Sequence, residues 1–164
     1  MSRNGQSFKR ATIATLLAGV ALVALAARGG EVTMQHARGE FDVKLKPLAL
    51  DGPAEDASLS RMSLEKDFRG DLTATGQGQM LAFEQTAYVA IERVTGSLAG
   101  KKGSFGLQHR GVMNEEGLLI TVVPGSGTGE LTGLTGKLSI TIEGGKHLYD
   151  LEYTLPAAPE SSPR

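Results

Sequence analysis

From residue 40 onward, apolar and polar side chains trade places along the chain with a period of two. Phe41, Val43 and Leu45 share one face, opposite Glu40, Asp42, Lys44 and Lys46. Met62, Leu64 and Phe68 have a common parity. Leu138, Ile140 and Ile142 alternate with Lys137, Ser139, Thr141 and Glu143. Tyr149, Leu151, Tyr153 and Leu155 alternate with Asp150, Glu152 and Thr154. Successive side chains of a strand point to opposite sides of the sheet, so this period marks strands with one buried face. No segment after residue 30 holds a helical period for three turns. The pattern predicts an all-β domain. Gly and turn residues break it about every 8–12 residues, as in a sandwich or barrel of consecutive hairpins.

An internal echo points to hairpins directly. Thr95-Gly96-Ser97-Leu98-Ala99-Gly100-Lys101-Lys102-Gly103-Ser104-Phe105 matches Thr128-Gly129-Glu130-Leu131-Thr132-Gly133-Leu134-Thr135-Gly136-Lys137-Leu138 at its Thr, Gly and Leu positions. Each copy reads as a strand end, a four-residue turn bounded by glycines and a returning strand.

The ends of the chain read differently. Arg3, Lys9 and Arg10 precede an uncharged stretch from Ala11 to Ala27, and Ala24-Leu25-Ala26 offers small residues before Arg28. That is the three-part layout of a secretory signal peptide. At 17 residues, the stretch is at the short edge of the roughly 17–25 that span a bilayer, so a retained N-terminal anchor is the alternative. The expected organisation is a signal at 1–27, a spacer at 28–38, a domain at 39–156 and a Pro/Ser/Ala-rich disordered tail at 157–164. The address is periplasmic or extracellular.

Removal of the signal takes away three of the 17 Lys and Arg and no acid, leaving 14 basic against 18 acidic side chains, a net charge of −4. No basic run exceeds two residues, which disfavours nucleic acid and a polybasic membrane patch. No Cys is present, so disulfides, thiolate catalysis and Cys-ligated zinc drop out together.

The run Val122-Val123-Pro124-Gly125-Ser126-Gly127-Thr128-Gly129-Glu130-Leu131 invites a phosphate-loop reading, and its spacing defeats it. Gly136-Lys137 has Leu131 and Leu138 where a P-loop needs Gly and Ser or Thr. A dinucleotide fingerprint needs a following helix, and here a strand follows. The glycines are expected to relieve crowding where strands coil and bend. His36, His109 and His147 are too dispersed to suggest a metal site, Gly-x-Ser-x-Gly is absent, and no cofactor is expected.

One polar constellation remains. If Thr95 to Phe105 is a hairpin, Glu92 and Arg93 lie roughly opposite Gln108 and His109. His109 shares parity with Phe105 and Leu107, so it is placed on their apolar face, where a neighbouring carboxylate can tune it for acid–base work. The same residues also fit a hydrogen-bonded core histidine beside a cross-strand ion pair. His109 and Glu92 are therefore the catalytic candidates. Tyr88, Glu92, Arg93, Gln108, His109, Tyr149 and Tyr153 are the candidate pocket residues.

Glu92-Arg93-Val94-Thr95-Gly96, Gly103-Ser104-Phe105, Leu107-Gln108-His109, Gly111 and the block from Val122 to Leu134 together resemble the domain of unknown function 3224 family, over about Phe41 to Leu155. That family is similar in fold to allene oxide cyclase and dirigent proteins, which implies a closed antiparallel barrel of eight strands. No catalytic residue of the cyclase maps onto a position here, so cyclase chemistry is analogy at the level of fold. Three functions follow as expectations. The first is binding of a small apolar ligand inside the barrel. The second is a cyclase or isomerase acting on a small hydrophobic substrate. The third is a structural module whose barrel is filled by side chains and whose outer surface self-associates into a homo-oligomer.

Overall fold

The computed structural model describes residues 33–50, 58–84, 86–112 and 117–156. The expected signal peptide and tail lie outside the described residues. Eight antiparallel strands follow one another around a closed barrel: β1 (Gln35–Leu48), β2 (Leu59–Gly70), β3 (Leu72–Phe83), β4 (Ala87–Leu98), β5 (Lys101–Val112), β6 (Leu119–Val122), β7 (Thr135–Glu143) and β8 (Lys146–Thr154). β1 closes the barrel on β8, with Ala37 beside Leu151 and Phe41 beside His147. β1 opens at Gln35, inside the segment expected as a spacer. Ala37 is fully buried there.

The period-two pattern maps directly onto the barrel wall. Phe41 of β1, Phe68 of β2, Val94 of β4, Phe105 and Leu107 of β5, and Leu138 of β7 all point inward and belong to one buried cluster. An interior formed by about eight strands is just wide enough to be filled by side chains or to hold one small ligand. This barrel does the first at one end. Phe41 packs on Phe68 with ring centroids 5.3 Å apart, and Phe68 meets Tyr149 edge-on at 5.6 Å. The Tyr149 hydroxyl accepts from the Leu72 backbone N–H at 2.9 Å and donates to the Arg69 carbonyl at 3.2 Å. The Tyr153 hydroxyl donates to Gln35 Oε1 at 3.1 Å. Both tyrosines are thus buried with their polar tips satisfied, as aromatic residues of this kind require.

The two halves of the internal echo take different structures. The first is a hairpin, but its turn is two residues and not four. Leu98 pairs with Lys101, so Ala99 and Gly100 alone make the corner, at φ 47° and 84°. Positive φ at both central positions is the type I′ geometry that matches strand twist. Gly96 and Gly103 face each other across the two strands.

The second copy is not a hairpin. β6 is only four residues long, and beyond it the glycine run leaves the sheet and docks along β5. Val123 N–H donates to the Gly106 carbonyl at 2.9 Å, and Thr128 N–H to the Ser104 carbonyl at 2.8 Å. Side chains complete the seam: Ser126 Oγ accepts from Gly106 N–H at 2.9 Å, and Glu130 accepts from Lys102 N–H at 2.8 Å. A short 3-10 turn, Gly129–Leu131, then drops Leu131 and Leu134 into the barrel end, each 1% exposed. Unpaired backbone groups on β5 would be costly once buried. The run satisfies them and plugs the barrel at the same time.

Candidate functional site

At the other end the described residues leave a cavity inside the barrel. There the inward positions of β1, β2, β4, β5, β7 and β8, together with Met80 of β3 and Leu118, enclose a cup of about 410 Å3. Its wall is mostly apolar, formed by side chains such as Val43, Leu45, Leu64, Ala90, Ile140 and Ile142. Phe41, from the upper layer of the plug, contributes to the floor. Four polar side chains join this lining: Lys66, Tyr88, His109 and His147. The Tyr88 ring lies against Gly111, where a Cβ would collide with it. The His147 ring packs on Phe41 at 5.1 Å.

Beneath the cup lies Glu92, with no exposed surface. Its Oε2 accepts a hydrogen bond from Lys66 Nζ at 2.8 Å. His109 Nε2 stands 3.0 Å from the same oxygen, off the line of a hydrogen bond, so the contact is electrostatic and Nε2 has no aligned partner among the described residues. Lys66 Nζ also sits over the rings of Phe41 and Phe68, 5.0 and 5.6 Å from their centroids, a placement the ring quadrupoles favour. Lys66 and His109 are 6% and 3% exposed.

The geometry of β3 makes this cluster feasible. Lys66 on β2 pairs with Gly76, and Glu92 on β4 pairs with Gly78. Both glycines occupy inward positions, so the strand between the two charges presents no side chain to keep them apart. Oε1 of Glu92 rests against Gly76, where a Cβ would overlap it. Oε1 has no hydrogen-bond partner among the described residues.

Burial works to raise the Glu92 carboxyl. The adjoining His109 ring and the Lys66 ammonium outweigh it, and the group is held below its ordinary 4.5. A carboxylate that is both buried and ionised needs such partners. Burial alone pushes the Tyr88 hydroxyl up.

Of the residues predicted from the sequence, His109 and Tyr88 line the cup and Glu92 lies buried beneath it. Tyr149 and Tyr153 point inward too, but at the plugged end, where they are core. Arg93 and Gln108 lie exposed on the outer face, and Arg93 donates to Ser104 Oγ at 3.0 Å. The β4–β5 register sets Glu92 opposite Leu107 and Ala90 opposite His109, so Glu92 and His109 are diagonal neighbours on one face. Lys66 and His147 went unrecognised. The signal for Lys66 was a charged residue in the inward parity of Leu64 and Phe68, matched by glycines at alternate positions of the next strand.

Residues 37–153 match the family described as protein of unknown function (DUF3224). The chain belongs to the DUF3224 family. A crystal structure of a DUF3224 protein of unknown function from Shewanella oneidensis is 43% identical, with a TM-score of 0.68. The match covers 76% of this chain and 100% of that one. Among curated proteins nothing matches. The DUF3224 barrel therefore comes with a fold and no assigned chemistry.

Proposed function

We propose that this DUF3224 protein is a binding barrel for a small, largely apolar molecule held in the cup. The observation that carries the reading is the division of the interior into a packed end and an apolar cavity of about 410 Å3. That volume falls within the roughly 300–1,000 Å3 of small-molecule sites, which are largely apolar with a few placed polar groups. A barrel built only as a scaffold gains nothing from leaving such a cavity unfilled, since core contacts are what stabilise it.

Native mass spectrometry of protein isolated from its own cells tests this. The expected result is a bound small molecule that is missing from an Ala90→Phe variant, whose ring occupies the cup. A clean apo mass, with no uptake of the neutral dye N-phenyl-naphthylamine, overturns the reading.

We also propose that the protein is exported, on the strength of the charged, apolar and small-residue segments of its first 27 residues. N-terminal sequencing of protein from the envelope should begin near Arg28; an N-terminus at Ser2 or Met1 in the soluble cell interior would refute export.

A further inference from the structure

We infer that the cup takes an uncharged molecule that carries a carbonyl-type hydrogen-bond acceptor at its inner end. The inference rests on the ligand-binding reading above and adds the chemical class. Polarity in the cup runs opposite to that of an ordinary surface cleft. Leu45, Leu118 and Ile142 at the rim are 49%, 42% and 66% exposed, whereas the ammonium of Lys66 lies at the floor. A ligand that enters with its apolar part trailing covers the exposed rim and brings its polar end to the floor.

The lining of the floor offers donors, since Glu92, whose Oε1 rests against Gly76, is not among the residues that line the cup. An ammonium has three N–H groups, and Lys66 uses one of them in its hydrogen bond to Glu92 among the described residues. None of the described residues lining the cup is acidic. A buried polar group left without partners is costly, so the unfilled donor capacity favours a ligand that supplies an acceptor.

Charge balance then selects the kind of acceptor. The Lys66 charge is already matched by Glu92 at 2.8 Å, and the nearest oxygen of Glu92 would face any second anion across the same ammonium. Two carboxylates on one buried cation repel, and both lose their hydration. A ketone, aldehyde or ester carbonyl accepts the same hydrogen bond without adding charge.

The test compares three probes with chains of equal carbon count: methyl heptyl ketone, nonane and nonanoate. Each is titrated against N-phenyl-naphthylamine bound to the full-length protein at about pH 8, where ordinary imidazoles are neutral. A hydrogen bond to a charged donor corresponds to about tenfold in affinity or more. The ketone is expected to displace the dye at about tenfold lower concentration than either competitor. Its binding should also move the His109 ring resonances, which nonane leaves in place. Equal displacement by ketone and nonane overturns the inference and leaves the apolar-binding reading standing. Tightest binding by nonanoate overturns it in favour of an anion site. Failure of the dye and all three probes to bind defeats the binding reading itself. In Lys66→Met the ketone should lose its advantage over nonane; survival of that advantage in a folded variant also overturns the inference. The wild-type comparison decides the matter if that variant does not fold.

Discussion

Lys66 and Glu92 form an ion pair across an intervening strand, with Nζ 2.8 Å from Oε2 and both side chains out of water. Neighbouring strands bring side chains together routinely, but here the partners belong to β2 and β4. The contact exists because β3 presents Gly76 and Gly78 at the two paired positions. The gap is filled on one side by the Glu92 carboxylate, which lies where a Gly76 side chain would be. Gly76→Ala is therefore expected to destabilise the barrel by about 1–3 kcal/mol, the usual range for forcing a methyl group into a packed interior. Glu92→Ala should relieve the overlap, so the double variant falls short of the sum of the singles by about 1 kcal/mol or more. Urea unfolding of the four proteins checks this, and strict additivity would refute it.

Breaking the pair from one side leaves a buried charge unmatched. Lys66→Met alone, or Glu92→Leu alone, should cost about 3–5 kcal/mol. Replacing both at once removes the desolvated charges together, and the double variant is expected to be more stable than either single one. Equilibrium unfolding supplies the comparison. If either single variant is as stable as wild type, the pair is not the buried, mutually dependent unit described above.

Acid should dissolve the same pair. The folded-state pKa of Glu92 lies below its ordinary 4.5, so folding favours the ionised form. The stabilisation is fully present above 4.5 and is lost as the pH falls through the lower folded-state value. Glu40 and Asp42 are also held low, by hydrogen bonds from Lys146 and Arg69 respectively, but these pairs are on the surface. In about 1 M salt the screening length shrinks to about 3 Å and surface pairs fade, whereas a buried pair persists. Urea midpoints from about pH 6 to about pH 3 in high salt should then fall less steeply for Glu92→Gln than for wild type. Parallel curves for the two proteins would remove Glu92 as the source.

Much of this fold was legible because burial in a barrel wall follows strand parity. Phe41, Val43 and Leu45 point inward as their alternation requires, and so do Leu138 and Ile140. Parity says which face a side chain takes but not how far along the barrel it sits. For that reason Tyr149 and Tyr88 looked equally suited to the pocket, although one packs in the plug and the other lines the cup. Lys66 escaped notice because a lysine is normally read as solvent-facing, and its partner is two strands away in space and 26 residues away in sequence. The glycine run misled for a related reason. Its composition matches a hairpin, yet its structure is decided by β5, whose open backbone groups it satisfies.

The hairpin corner at Ala99 offers room for improvement. Ala99 holds φ 47°, a left-handed conformation that costs an ordinary L-residue on the order of 1–2 kcal/mol. Asn tolerates this region and heads the preferred Asn-Gly type I′ pair, with Gly100 already in the second place. Ala99→Asn is expected to stabilise the protein by about 0.5–1 kcal/mol, measured as a rise in the urea midpoint at constant slope. A fall in stability would mean that the corner is not under the strain its backbone indicates.

Leu131 shows what the glycine run does for the cup. It is 1% exposed inside the closed end, reached by a segment that returns to the barrel after β6 has ended. Truncation to Ala removes a buried side chain from a site whose walls are strands tied into a closed sheet and unable to collapse. The expected cost is about 2–5 kcal/mol. The location of the damage matters more than its size. The docked segment is held by a few backbone and side-chain hydrogen bonds to β5, so loosening its anchor should raise amide exchange first at Thr128 and Leu131, which donate to Ser104 and Thr128. Ala90 and His109 pair with each other in the β4–β5 ladder at the opposite end, and their amides should remain protected until the barrel unfolds globally. Hydrogen exchange of Leu131→Ala followed by NMR distinguishes the cases. Simultaneous loss of protection at both ends would show that plug and cup open as one unit, and the packed end would then not be an independent foundation for the cup.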